Sequence, residues 1–237
     1  MESLSQSGLE ALRLLVTGDR TLWEIVGVSF RVSLTAVLAC APLAVAFAAL
    51  LAFRRFPGRQ AVLAVLNTLL SLPAVVVGLS LYLVLSRHGP LGEWRLLFTQ
   101  TAMVLGQMVL CFPLITAMCH AALQETDPRA WETARTLGAG PLRAVLTLLG
   151  EVRFALLGAL IAGLGRVVAE VGSAMMLGGN ILGYTRNITT AIALETSKGA
   201  FAQGIALGMV LLILAFSLNA GLHWLQGRSR LEPEYLT

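Results

Sequence analysis

Residues 25–53 read I-V-G-V-S-F-R-V-S-L-T-A-V-L-A-C-A-P-L-A-V-A-F-A-A-L-L-A-F, and Arg31 is the one charge in the run. A bilayer core about 30 Å thick is crossed by roughly 20 helical residues, so this stretch spans it with length to spare. Arg54, Arg55 and Arg59 follow at once as a stop-transfer flank. The apolar run is also too long for a cleaved signal peptide. The stretch is therefore expected to stay in the membrane as a helix.

Four further runs of the same kind lie at 61–86, 96–123, 154–177 and 201–226. They account for a composition that is 57% apolar and only 13% charged, with a mean hydropathy of +0.79. Together they predict an all-α polytopic membrane protein of about five transmembrane helices, a single membrane domain over 1–237 with lipid as its surroundings. The net charge of +4 comes with no basic patch interleaved with aromatics, so it implies no nucleic-acid partner.

Basic residues in short loops are retained on the cytoplasmic side. One set of loops holds Arg54, Arg55, Arg59, Arg129, Arg135, Arg143, Arg153, Arg228 and Arg230; the other, with the N-terminal segment, holds Arg13, Arg20, Arg87, Arg95, Arg186 and Lys198. The bias predicts a multi-pass protein of the cell membrane with its N-terminus outside and its C-terminus in the cytoplasm. Residues 8–16 read as a short amphipathic helix at the membrane surface, with Leu9, Leu12 and Val16 on one face and a stop at Gly18.

Covalent chemistry has few candidates. Cys40, Cys111 and Cys119 fall inside apolar spans, and residues eight apart on a helix, such as Cys111 and Cys119, are separated by about 12 Å, too far for a disulfide. His88, His120 and His223 are scattered without metal-ligand spacing, so no metal site is expected. Neither a Ser, His and Asp set nor a GxxxxGK[ST] phosphate loop is present, and the one lysine, Lys198, falls in an outer loop. No catalytic residue and no cofactor are expected in this chain.

The longest cytoplasmic loop, 124–153, carries two helix starts. Asp127 suits an N-cap and Pro128 the first helical position, Gly138 a C-terminal stop, and Pro141 opens a second helix leading toward the fourth span. Trp131, Ala134 and Leu137 can share a face, while Arg129, Glu132 and Arg135 offer charged partners. An ordinary solvated amphipathic loop fits the same pattern.

Glu132, Thr133, Ala134, Leu137 and Gly138, in E-T-A-x-x-L-G-A, resemble the EAA loop of ABC importer permeases. Thr133 stands where that family usually has Ala, and Leu149, Gly150, Glu151 and Val152 replace its later Ile-x-Leu-Pro element. The resemblance implies that the short helix docks in a groove of an ATPase subunit and carries its motion to the pore. It also implies a homodimer of this chain, two cytoplasmic ATPase subunits binding ATP and Mg, and an extracytoplasmic oxyanion-binding protein. R-V-V-A-E-V-G-S-A-M-M-L-G-G-N-I-L-G-Y-T-R-N at 166–187, S-L-P-A-V-V-V-G-L-S-L-Y at 71–82 and R-H-G-P-L-G at 87–92 are similar to molybdate and tungstate permeases, most of all the tungstate branch. The resemblance covers about 66–220.

Read as one continuous helix, the fourth span places Ala159, Gly163, Arg166, Glu170 and Ser173 on a single small and polar face. Ionisable groups at membrane depth face a bundle interior or a wet cavity. Arg166 and Glu170 can pair at i and i+4, either beside an anion path or as a structural clamp. On the second span Asn67, Ser71, Ala74 and Gly78 form a matching face, for close packing or for the path, with a kink at Pro73. Gly204 and Gly208 form G-x-x-x-G in the fifth. The loop 178–199, with Asn180, Arg186, Asn187, Thr189 and Thr190, reads either as a segment folded partly back into the membrane or as a polar outer loop. Functional alternatives are a permease for molybdate, sulfate or another anion, an ion-coupled secondary transporter, or an intramembrane enzyme.

Overall fold

The computed structural model describes residues 12–13 and 16–231, without the side chains of residues 128 and 224–231. Most of the segment 8–16 lies outside the described residues. With no water in a bilayer core to satisfy backbone N–H and C=O groups, apolar runs of this length must satisfy them internally. They do so as helices: α1 (Arg20–Phe53), α2 (Arg59–Leu70), α3 (Ala74–Leu85), α4 (Gln100–Gln124), α5 (Pro128–Thr136), α6 (Pro141–Glu151), α7 (Arg153–Val168), α8 (Gly172–Gly178), α9 (Ile188–Ser197) and α10 (Phe201–Leu231). A 3-10 turn, Gly92–Trp94, precedes α4, and no strand occurs among the described residues.

Three helices, α1, α4 and the 201–223 part of α10, are long and apolar enough to cross a membrane unaided. Two helix pairs reach the same length and apolarity only together and count as one candidate span each: α2 and α3 meet at 103°, and α6 and α7 at 71°. The expectation of about five spans therefore holds, and two of its continuous helices need correction. The second span bends at Ser71–Pro73, because Pro73 takes an extended conformation as the cap residue of α3 and α2 cannot run through it. The fourth is not a helix over 154–177: α7 ends at Val168, and α8 restarts at Gly172. Pro42 and Pro113, by contrast, sit inside α1 and α4 without ending them.

Helix α4 is the central post, packed by α1, α7, α8, α2 and α3, while α10 lies against α7 and α9. The contact stripes are made of small residues four apart. Ala36, Cys40, Ala44 and Ala48 of α1 are sealed from solvent, and the last three pack with Cys111, Ile115 and Cys119 of α4 and Ala159 and Val167 of α7. Small side chains let the helices approach closely enough for dispersion to hold them where the lipid offers no hydrophobic contrast. All three cysteines are free and buried there.

Candidate functional site

At one end of the bundle, Asp127 Oδ1 accepts the Arg129 N–H at 2.8 Å and starts α5, as its sequence position predicts. The end of that helix is closed from several sides. Leu137 N–H reaches Thr133 O at 3.0 Å, Ala139 N–H reaches Ala134 O at 3.0 Å, and the Arg135 guanidinium donates to Ala139 O at 3.0 Å. Gly138 supplies the left-handed turn at φ 84°. The expected shared face of Trp131, Ala134 and Leu137 divides. Trp131 is half-buried and stacks on Phe53, the last residue of α1, whereas Leu137 is 82% exposed. Glu132 and Thr133 also face solvent, and Ala134 is half-buried. Leu142 and Leu146 of α6, four apart, extend the exposed apolar surface; the sequence reading passed over them although their spacing marks the outer side of that helix. Arg59 fastens α2 at the same end, donating to Leu51 O at 2.6 Å and to His120 Nε2 at 3.3 Å.

The α2–α3 break and the α7–α8 break lie side by side. A Cβ on Gly172 would meet Val75 Cγ2 at 2.6 Å, and one on Gly78 would meet the Ser173 backbone at 2.9 Å, so α3 and α8 touch where each begins. Glu170 sits in the α7–α8 break and organises it. Its Oε1 accepts the N–H groups of Gly172 at 2.8 Å and Ser173 at 3.4 Å, its Oε2 accepts Arg166 at 3.1 Å, and its carbonyl accepts the Thr189 hydroxyl at 2.7 Å. The Arg166–Glu170 pair of the sequence reading exists, but it closes a helix end rather than lying along a helix face. Gln107 of α4 donates to Val167 O at 3.3 Å and so occupies a carbonyl at the end of α7. Ser173 Oγ is buried without a partner. Asn67 and Ser71 are exposed on α2 and at its end.

At the bundle end remote from α5, residues 178–199 contain a helix, α9, where the sequence reading gave a loop. Asn187 Oδ1 accepts the Thr190 N–H at 2.9 Å, and Thr190 Oγ1 accepts the Asn187 N–H at 3.1 Å, a reciprocal cap. Ser29 Oγ of α1 accepts the Ile188 N–H at 2.7 Å and anchors the start of α9 to the first span. Glu195 receives Lys198 at 3.1 Å and lies 4.0 Å from Arg186, beside a cavity of about 210 Å³. Among the described residues, no group of three His, Cys, Asp or Glu side chains is placed to hold a metal ion.

Residues 42–230 match the family described as binding-protein-dependent transport system inner membrane component. The tungstate uptake system permease protein TupB of Campylobacter jejuni is 45% identical to the chain over 174 residues, 73% of each. Its namesake from Peptoclostridium acidaminophilum is 36% identical over 226 residues, covering 95% of this chain and 99% of its own. The molybdenum transport system permease protein ModB of Escherichia coli K12 is 33% identical over 210 residues, 81% of this chain and 91% of its own. Among solved structures, the inward-facing MetNI methionine ABC transporter covers 90% of this chain and 97% of its own, with a TM-score of 0.62 at 19% identity. An amino acid ABC transporter crystallised with histidines gives 0.63 at 17%, covering 90% of this chain and 96% of its own. At those identities the likeness is one of fold. With a family match over most of its length and relatives above 30% identity along nearly the whole chain, the protein belongs to the binding-protein-dependent transport system inner membrane components.

Proposed function

We propose that the chain is the permease subunit of an ATP-driven oxyanion importer whose cargo is tungstate. It works as a homodimer with two cytoplasmic ATPase subunits and an extracytoplasmic oxyanion-binding protein. The observation that carries this reading is α5: a capped helix outside the apolar runs that keeps Leu137 82% exposed while Trp131 is stacked against the end of the first span. Such a helix has one side fixed to the bundle and the other free for a partner. An exposed apolar anchor rimmed by charge is the usual form of a docking element.

In this reading, α5 and the start of α6 lie on the cytoplasmic side, and the N-terminus lies outside. ATP binding draws the ATPase subunits together and moves α5, and Phe53 carries that movement into α1. The permease supplies the path and its partner the hydrolysis. Tungstate is favoured over molybdate by the relatives' names and by 45% identity to one tungstate permease against 33% to a molybdenum permease.

Co-purification tests the docking. Wild-type chain should hold an ATP-binding-cassette ATPase subunit of this transporter type through size exclusion, and Leu137→Asp should release it while leaving the thermal unfolding of the isolated chain unchanged. Equal retention by both proteins would remove α5 from the interface.

A further inference from the structure

We propose that Arg166 is an oxyanion contact on the translocation path, and that Glu170 is the residue that positions it. The inference rests on the importer reading above and assigns the chemistry of its path.

The pair is asymmetric. Glu170 is 6% exposed and Arg166 38%. The carboxylate is fully committed to Arg166 and to the N–H groups that open α8. The guanidinium makes a hydrogen bond to Glu170 and, among the described residues, to nothing else. Here the carboxylate is enclosed and the guanidinium is partly exposed within an apolar run, where a charge is costly unless water, a ligand or a neighbouring chain meets it. The remaining N–H groups of the planar fork match the oxygens of a doubly charged tetrahedral anion.

The neighbouring break adds to the site. Helix α3 begins at Ala74 with no side chain capping its start, and Val75 lies against Gly172, one element away from the Glu170 carboxylate. The start of this 12-residue helix carries the positive end of its dipole, with Pro73 O taking the Val76 and Val77 N–H groups and Gly172 packed against Val75. The buried Ser173 hydroxyl, on the side of α8 that faces Gly106 of α4, has no hydrogen-bond partner.

The test uses the complete importer in proteoliposomes, with tungstate as probe, and reads tungstate delivered per ATP hydrolysed together with complex yield and melting temperature. If the wild-type importer moves no tungstate, the importer reading fails and this one falls with it. Given wild-type uptake, Arg166→Gln is expected to lower the ratio by about tenfold, the effect of losing one charge-assisted hydrogen bond. Arg166→Lys keeps the pair with Glu170 but not the fork; it is expected to assemble as wild type and still lose about threefold. Glu170→Gln retains an acceptor for Gly172 and frees the guanidinium, so it should assemble with a lowered ratio. Full activity in Arg166→Lys, or an unchanged ratio in Arg166→Gln, would overturn the proposal and leave the pair as a helix clamp.

Discussion

The ring of Phe53, where α1 ends, lies nearly parallel to the ring of Trp131 on α5, with centroids 5.1 Å apart and planes inclined by 13°. The longest helix of the bundle and helix α5 thus share an aromatic contact, although 78 positions separate the two residues in sequence (131 − 53).

Trp131→Ala removes that stack, a contact of about 1 kcal/mol beyond the area it covers. The bundle should stay folded, because the stripe of small residues between α1 and α4 is untouched. ATP hydrolysis by the assembled complex should continue with less uptake per ATP, and Trp131→Phe should restore most of the loss. Parallel assays of hydrolysis and uptake check this.

Gly138 stands at φ 84° with nothing within 4 Å of where a Cβ would be. Gly138→Ala should therefore cost only the backbone strain, about 1 kcal/mol, seen as a small drop in melting temperature. Gly138→Pro should cost more, since it also removes the N–H that reaches Arg135 O at 3.1 Å.

Gly78→Ala is expected to be worse than its size suggests. The new methyl would sit 2.9 Å from Ser173 Cα and 3.1 Å from Met176 Sδ, and the backbone of α8 cannot rotate away. Overpacking of this kind costs about 1–3 kcal/mol. Gly165→Ala, with open space at its Cβ inside α7, should be neutral or slightly stabilising. Scanning fluorimetry of the pair in detergent separates steric from propensity effects.

Asn187→Ala removes the acceptor that serves the Thr190 N–H. Loss of such a cap costs about 1–2 kcal/mol. The start of α9 should loosen, measured as faster hydrogen exchange over 187–191 with the centre of α4 unchanged.

The five apolar crossings and the ends of α5 were legible because each rests on local chemistry: uninterrupted apolar length, an Asp followed by Pro, a Gly at a left-handed turn. The second break was half legible, since Pro73 announced a kink but not a bend of 103°. The break at 169–171 was hidden, because Val-Ala-Glu-Val-Gly contains no proline and its apolar pattern continues through it. What ends α7 there is tertiary: Gln107 on the Val167 carbonyl, Thr189 on the Glu170 carbonyl, and Glu170 capping α8. Helix α9 had a readable start in Asn187 and Thr190, but Gly178, Gly179, Gly183 and Gly199 and the polar residues among them fit a loop equally well. The family resemblance in Glu132 to Gly138 is matched by the family assignment, while the division of labour between Trp131 and Leu137 needed coordinates, as only the position of Phe53 decides it.

ATP-dependent uptake tests the central claim most directly. Proteoliposomes carrying this chain and its ATPase, with the oxyanion-binding protein and tungstate on one side and ATP on the other, should accumulate tungstate only when both proteins and ATP are present. Glu132→Ala combined with Gly138→Pro should abolish that uptake while the chain keeps its helical fold. Uptake that proceeds without ATP and follows an imposed ion gradient would contradict the importer and point to a secondary transporter.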